Sequence, residues 1–171
     1  MLFRSGSAAE PVIREWFADE TGMQVIAPPE DRRLIHFHHE HGCIGATLDG
    51  AVIKGGEPVI FEAKRVTWSQ AGDWKDGAPR KHRVQAQHQM LATGLNACYI
   101  VGMINDSRLE IHLEERDDEF LNEIHLPECL AFWECVKTGI WKGEIDGSEG
   151  VKEAINLLYP DENNEIGRAH V

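Results

Sequence analysis

Apolar residues recur along this chain with two different periods, and the switches between them mark its elements. In "SAAEPVIREWFADETG" (7–22), Val12, Ile13, Trp16 and Phe17 fall on one helical stripe, and Gly22 stands where a left-handed cap would end it. Pro11 suits only a first turn, so the regular part is expected to begin near Glu10. Residues 32–38 and 43–53 alternate as strands joined by a histidine-rich turn, and 58–66 forms a third strand. Between the last two lies Lys54-Gly55-Gly56-Glu57, the signal of a two-residue hairpin. Residues 67–79 are polar and rich in Gly and Pro, hence a long loop of the kind that often carries function. Pro79 opens a second helix, 80–93, and Gly94 closes it. The apolar run at 96–104 predicts a buried strand, and 108–116 a more exposed one with Leu109, Ile111 and Leu113 inward. A third helix is expected over 117–138, kinked or split at Pro127, with a short helix near 148–158 and a frayed terminus.

The order α-β-β-β-α-β-β-α predicts an α/β (α+β) fold, a mixed central sheet flanked by helices. The chain is read as one domain, residues 1–171, with a core at about 7–138 and a C-terminal helical, acidic extension at about 139–171. At 171 residues with 42% apolar content it is long enough to bury a core. No stretch approaches the roughly 18 apolar residues of a membrane span. The opening "MLFRSGSAAEP" has no apolar h-region. Cys43, Cys98, Cys129 and Cys135 stand singly, without Cys-x-x-Cys spacing. That spacing disfavours zinc ribbons, redox pairs and a clustered iron–sulfur site, and fits reduced thiols in a cytoplasmic protein.

Charge is uneven. Residues 1–105 carry 11 Lys/Arg and 12 Asp/Glu, whereas 106–171 carry 6 and 17, so nearly all of the net −12 lies in the second part. The total argues weakly against a polyanionic partner. Yet Lys64, Arg65, Lys75, Arg80, Lys81 and Arg83 form a local basic strip against only Asp73 and Asp76. The strip suits either a polyanion or an ordinary solvated loop.

The hairpin concentrates the candidate chemistry. Counting outward from Gly55-Gly56 pairs 54 with 57, 53 with 58 and finally Asp49 with Glu62. Two acids directly opposed repel each other unless a cation or a shared proton sits between them. Gly50 is a candidate bulge that would shift this register. Alternation along the second strand sets Glu62 and Lys64 on one face, with Asp49 expected to join them. Hard oxygen donors of this kind suit Mg²⁺ or Mn²⁺. A buried Asp/Glu/Lys ion-pair cluster is the structural alternative.

Asp49-Gly50 followed by Glu62-Ala63-Lys64 resembles the D…E-x-K signature of the PD-(D/E)xK nuclease superfamily. Three further stretches resemble the lambda-exonuclease-like (YqaJ-type) recombinase family within it. They are "GSAAEPVIREWFADETGMQV", "GCIGATLDGAV" (with Thr47-Leu48 in place of the family's Ser-Pro) and "RVQAQHQMLATGLNACYIVGMI". The stretches follow the family's order, and the resemblance is taken to extend over about residues 6 to 138. The resemblance implies metal ligands at Asp49, Glu62 and the Ala63 backbone carbonyl. It implies a catalytic lysine at Lys64, an acid acting through metal-bound water at Glu10, and a site-lining glutamine at Gln87. Gln85, Arg65, Lys81 and Arg83 are the candidate DNA contacts; spacing alone leaves open which of Gln85, Gln87 and Gln89 points inward.

The implied reaction is Mg²⁺-dependent phosphodiester hydrolysis, with Mn²⁺ expected to substitute. DNA is the implied partner, together with a single-strand annealing protein and a homo-oligomer of this chain; no membrane is implied. An exonuclease on DNA ends in phage-type recombination is the leading expectation. An endonuclease of restriction or repair type, and an inert DNA-binding or structural protein, are the competing ones. Longer family members carry an Arg and a Gly-Gly-Ser-like stretch before the first helix, which helps form a pocket for a terminal phosphate. Here that segment is read as missing or reduced to Arg4-Ser5-Gly6-Ser7, which weakens the expectation of processive, phosphate-directed degradation. "HFHHEH" (36–41) lacks a fourth ligand or a catalytic Glu spacing for zinc and is read as a strand end leading into a turn. Trp68 and Trp74, in the long loop, are candidates either for stacking on a base or for packing the loop onto the body.

Overall fold

The computed structural model describes residues 5–29 and 34–140. Contacts divide the chain into two compact units, 1–133 and 134–171. The helix predicted near 148–158 and the frayed terminus lie outside the described residues, as does Arg4.

Helix α1 (Ser5–Thr21) ends as predicted, with Gly22 at φ 73° and its N–H on the Ala18 carbonyl (2.8 Å). Its start differs from expectation: the helix runs upstream through Pro11. Pro11 has no N–H to donate to the Ser7 carbonyl, so one ladder bond is missing there. Strand β1 (Ile35–Phe37) pairs antiparallel with β2 (Gly45–Thr47) in a small sheet. Strands β3 (Gly50–Lys54), β4 (Glu57–Val66), β5 (Ala97–Ile104) and β6 (Arg108–Glu115) form the main sheet in that order. Pairing is antiparallel, parallel and antiparallel in turn, so the sheet is mixed.

The hairpin register is the one counted from the glycines: Lys54 faces Glu57 and Gly50 faces Phe61. Both turn glycines have positive φ (62° and 91°), which a type I′ turn requires and other residues resist. One predicted strand, 43–53, is in fact two, β2 and β3, belonging to different sheets. They separate at Leu48-Asp49, just before Gly50. A Cβ at Gly50 would lie 2.6 Å from the Val25 side chain and 3.1 Å from the Ile26 carbonyl. Only a glycine lets that segment come so close, and Ile26 then pairs with Ala51 on the outer edge of β3.

The parallel step from β4 to β5 needs a crossover. It consists of a 3₁₀ helix (Trp68–Trp74) and α2 (Arg80–Thr93), which Gly94 caps at φ 76°. Composition predicts an open loop for the first part. It forms a 3₁₀ helix instead, closed by Trp74, whose indole is buried against Gly102, where a Cβ would meet the ring at 2.6 Å. Beyond β6 the helix expected over 117–138 forms as one turn α3 (Asp118–Phe120), a π turn (Leu121–His125) and α4 (Leu126–Thr138). Asp117 caps it by accepting the Phe120 N–H (2.9 Å). The π turn sits just ahead of Pro127, whose missing N–H disrupts the regular ladder.

The main sheet is covered on both faces. Ala9, Ile13 and Phe17 of α1 pack on Val59, Phe61, Ala63, Tyr99 and Val101. Ala86 and Met90 of α2, with Trp74, pack on Ile60, Val66, Cys98, Ile100 and Ile104. Strand alternation therefore turns Glu62 and Lys64, in phase with Ile60 and Val66, toward α2.

Candidate active site

Glu62 is buried to 2% exposure in the middle of β4, an unfavourable place for a carboxylate unless donors surround it. Three do. Lys64 Nζ donates to Oε1 at 2.6 Å, Gln85 Nε2 donates to the same oxygen at 2.7 Å, and Gln89 Nε2 donates to Oε2 at 2.6 Å. Lys64 also donates to Gln85 Oε1 at 2.9 Å, closing a ring of two side chains and the acid. Gln85 and Gln89 stand four residues apart on α2, so both reach the same face.

Gln87, two residues from each, cannot. It is buried on the opposite side, where Nε2 donates to the Glu115 carbonyl (2.7 Å) and Glu114 Oε1 (3.2 Å). Its Oε1 accepts the Asp117 N–H at 2.9 Å. The placement expected of Gln87 is thus corrected: Gln85 and Gln89 line the cluster, and Gln87 braces the end of β6 against the following cap. Gln89 is 3% exposed and also donates to the Thr47 carbonyl (3.2 Å), while its Oε1 is buried without a partner among the described residues.

Asp49 sits in the break between β2 and β3. Its Oδ2 accepts the Ala63 N–H at 2.9 Å, so its carboxylate lies against the peptide between Glu62 and Lys64. Burial first, then the charge of Glu62 and, less, that of Glu10, push the Asp49 carboxyl from 3.8 up to about 7; the Ala63 N–H and Lys64 oppose this. Arg14, one turn after Glu10 on α1, donates to the Asp49 carbonyl at 3.2 Å and lies 3.7 Å from Glu10. Sequence reasoning missed Arg14, although its spacing of four from Glu10 placed both on one helix face. The structure therefore brings Asp49, Glu62, Lys64, Glu10 and the Ala63 peptide to one place.

The other candidates lie apart. Arg65 points to the face opposite Lys64 and forms a paired-bond salt bridge with Asp106 (3.0 and 2.7 Å). Arg83 is bonded to Glu114 at 2.8 Å. Lys81 is exposed, with no ion-pair partner among the described residues. Trp74 is core, whereas Trp68 is 84% exposed. In the histidine-rich turn His38 Nδ1 accepts the Glu40 and His41 N–H groups (3.1 and 3.2 Å), a local turn contact. All four cysteines are free thiols. A largely apolar cleft of about 470 Å³ opens beside Asp49, lined by Ile26, Pro28, Leu34, His36, Leu48 and Gly50.

Two carboxylates brought together at the Ala63 peptide, with excess negative charge felt at Asp49, fit a hard divalent cation. A mixed sheet between helices, with an acid at a hairpin end and Glu-x-Lys on the next strand, defines a PD-(D/E)xK-type core. The family model of the YqaJ-like viral recombinase domain matches residues 3–96, more than half of the chain. The protein belongs to that family. Its structure is similar to that of an alkaline exonuclease (LHK-Exo) from Laribacter hongkongensis, at 27% identity and TM-score 0.65, covering 90% of this chain and 73% of that one. A second structure of LHK-Exo, in complex with dAMP, shares the fold at 24% identity and TM-score 0.62, covering 92% and 72%. No curated protein matches this chain. Among the described residues no helix is long and apolar enough to cross a membrane.

Proposed function

We propose that this protein is a Mg²⁺-dependent DNA nuclease that hydrolyses phosphodiester bonds, acting as an exonuclease on DNA ends in phage-type recombination. The observation that carries this reading is the convergence of Asp49, Glu62 and Lys64 on the Ala63 peptide. Family membership and the similarity to an alkaline exonuclease support it.

Asp49, Glu62 and the Ala63 carbonyl would hold the cation, and Glu10 would bond its waters. When bound, the cation supplies charge stabilisation for the phosphate and a more acidic water. The chain does the rest. Gln85 and Gln89 fix the Glu62 rotamer, so its carboxylate is pre-set rather than ordered on binding. The Ala63 N–H and Arg14 fix Asp49 from its side chain and its carbonyl. Lys64, 22% exposed at its side chain, offers an ammonium at the open edge of the cluster for a phosphate oxygen or an attacking water. The cleft beside Asp49 offers apolar walls for a nucleotide. Lys81 and Gln85 are the proposed DNA contacts; Arg65 and Arg83 serve only by leaving their acidic partners. A single-strand annealing protein and further copies of this chain are the proposed partners, in the cytoplasm of a bacterial or phage-infected cell. The single nuclease domain is taken to span residues 1–171.

The test compares linear and covalently closed circular duplex DNA with Mg²⁺, with Mn²⁺ and with chelator. Metal-dependent loss of the linear form alone is the expected result. Cutting of the circle would replace the exonuclease by an endonuclease on the same core. No metal-dependent cleavage of any DNA would leave an inert DNA-binding protein.

A further inference from the structure

On the flank of α2 that packs against β2, His88 meets two side chains from beyond β6. His88 Nδ1 lies 2.9 Å from His125 Nε2, and Cys129 Sγ lies 3.7 Å from that same nitrogen. All three ligand atoms fall within 4.8 Å of one another, and all three residues are half-buried. The tautomer at His88 follows from its other nitrogen. Nε2 faces the Gly45 carbonyl of β2 at 3.2 Å, and a carbonyl only accepts, so Nε2 carries the proton and Nδ1 presents a lone pair. A backbone carbonyl behind a ring nitrogen is the usual orienting partner of a metal-bound histidine.

The other two ligands are presented by a defined feature of the fold. The π turn ends at His125, and Cys129 follows four residues later, one turn along the same face. Phe120 stacks on the His125 ring (centroids 5.6 Å apart, planes at 26°) and holds its orientation. We propose that His88, His125 and Cys129 form a zinc site, separate from the Asp49–Glu62 cluster and tying α2 to the π turn and α4. Zn²⁺ fits because two imidazoles and a thiolate are borderline-soft donors; Mg²⁺ and Mn²⁺ prefer oxygen. With zinc–nitrogen bonds of about 2.0 Å and zinc–sulfur of about 2.3 Å, tetrahedral edges are about 3.3 Å (N–N) and about 3.5 Å (N–S). The sulfur edge to His125 is met to within about 0.2 Å, the two imidazoles need to part by about 0.4 Å, and His88 Nδ1 and Cys129 Sγ lie within 4.8 Å of each other. Binding displaces the Cys129 thiol proton to solvent and shifts the His125 proton from Nε2, where it bridges to His88 Nδ1, to Nδ1; the fourth position is left to water. Burial, with Cys43 and Glu128 nearby, raises the Cys129 thiol above its ordinary value, so without a cation the sulfur keeps that proton.

The test uses the full chain, stripped with chelator and titrated with Co²⁺ as a spectroscopic stand-in for zinc. The expected result is a thiolate-to-cobalt band with tetrahedral d–d bands that saturate at one equivalent per chain; cobalt at the oxygen donors of the Asp49–Glu62 cluster gives no thiolate band. Zn²⁺ should erase them, and excess Mg²⁺ should leave them. Cys129→Ser should abolish the thiolate band, and His125→Gln should weaken binding at least about tenfold. His39→Ala, in the histidine-rich turn, should change nothing. Absence of a saturable thiolate-to-cobalt band in the wild-type chain would overturn the proposal whatever the variants do, and so would a thiolate band that survives Cys129→Ser.

Discussion

Asp49→Asn isolates the electrostatic cost of assembling the cluster. In the folded, metal-free chain the Asp49 carboxyl is raised from 3.8 to about 7 by burial and by Glu62. The folded value lies above the unfolded one, so the proton adds stability that is complete below about pH 4 and is lost as pH rises through 7. At pH 8 the ionised carboxylate therefore costs the fold up to about 4 kcal/mol, because each tenfold difference in proton affinity between the folded and unfolded chain is worth about 1.4 kcal/mol. Asparagine is nearly isosteric and its carbonyl can still accept the Ala63 N–H, although that bond weakens by about 1 kcal/mol on losing the charge. The net expectation is a metal-free variant about 2–3 kcal/mol more stable than wild type at pH 8. Its melting temperature should be higher by roughly 5–10 °C for a chain of this length. Near pH 4 the two should melt together. The assay is thermal unfolding in chelator at both pH values, with Mg²⁺-dependent cleavage measured alongside; cleavage should be lost. An unchanged or lower melting temperature at pH 8 would refute the idea that Asp49 and Glu62 are held together against their repulsion.

Three further outcomes are expected. Gln89→Ala should cut cleavage by about tenfold or more by freeing Glu62, whereas Gln87→Ala should spare cleavage by folded molecules and lower stability by about 1–3 kcal/mol through its orphaned partners; comparing activity with melting temperature separates the two roles. Burial, then the charges of Lys64 and Lys81, lower the His82 imidazole from 6.5 to about 4, so the fold loses stability as pH falls from 6.5 toward 4; His82→Gln should flatten that part of the melting-temperature profile, and an unchanged slope would count against it. Gly102→Ala should destabilise by about 1–3 kcal/mol, read from denaturant midpoints, because the new methyl would meet the buried Trp74 ring at 2.6–2.8 Å.

Much of the fold is written in local pattern. Period and punctuation alone place α2 between Pro79 and Gly94, and the Gly55-Gly56 turn alone sets which residues of β3 and β4 face each other. A two-residue turn leaves no freedom in register, and a strand's period of two leaves none in which face Glu62 and Lys64 share. What tertiary structure decided is whatever depends on how one element is rotated against another. "QAQHQ" offers three glutamines; the roll of α2 on the sheet sends Gln85 and Gln89 to Glu62 and Gln87 to the far side. The break before Gly50 exists because the Val25-Ile26 segment closes on it, so no period within 43–53 could show that Asp49 leaves the strand. Trp74 reads as a loop residue until Gly102, 28 positions later, makes room for it. His88, His125 and Cys129 meet for the same reason: side-chain chemistry is local to the sequence, but convergence is a property of packed surfaces.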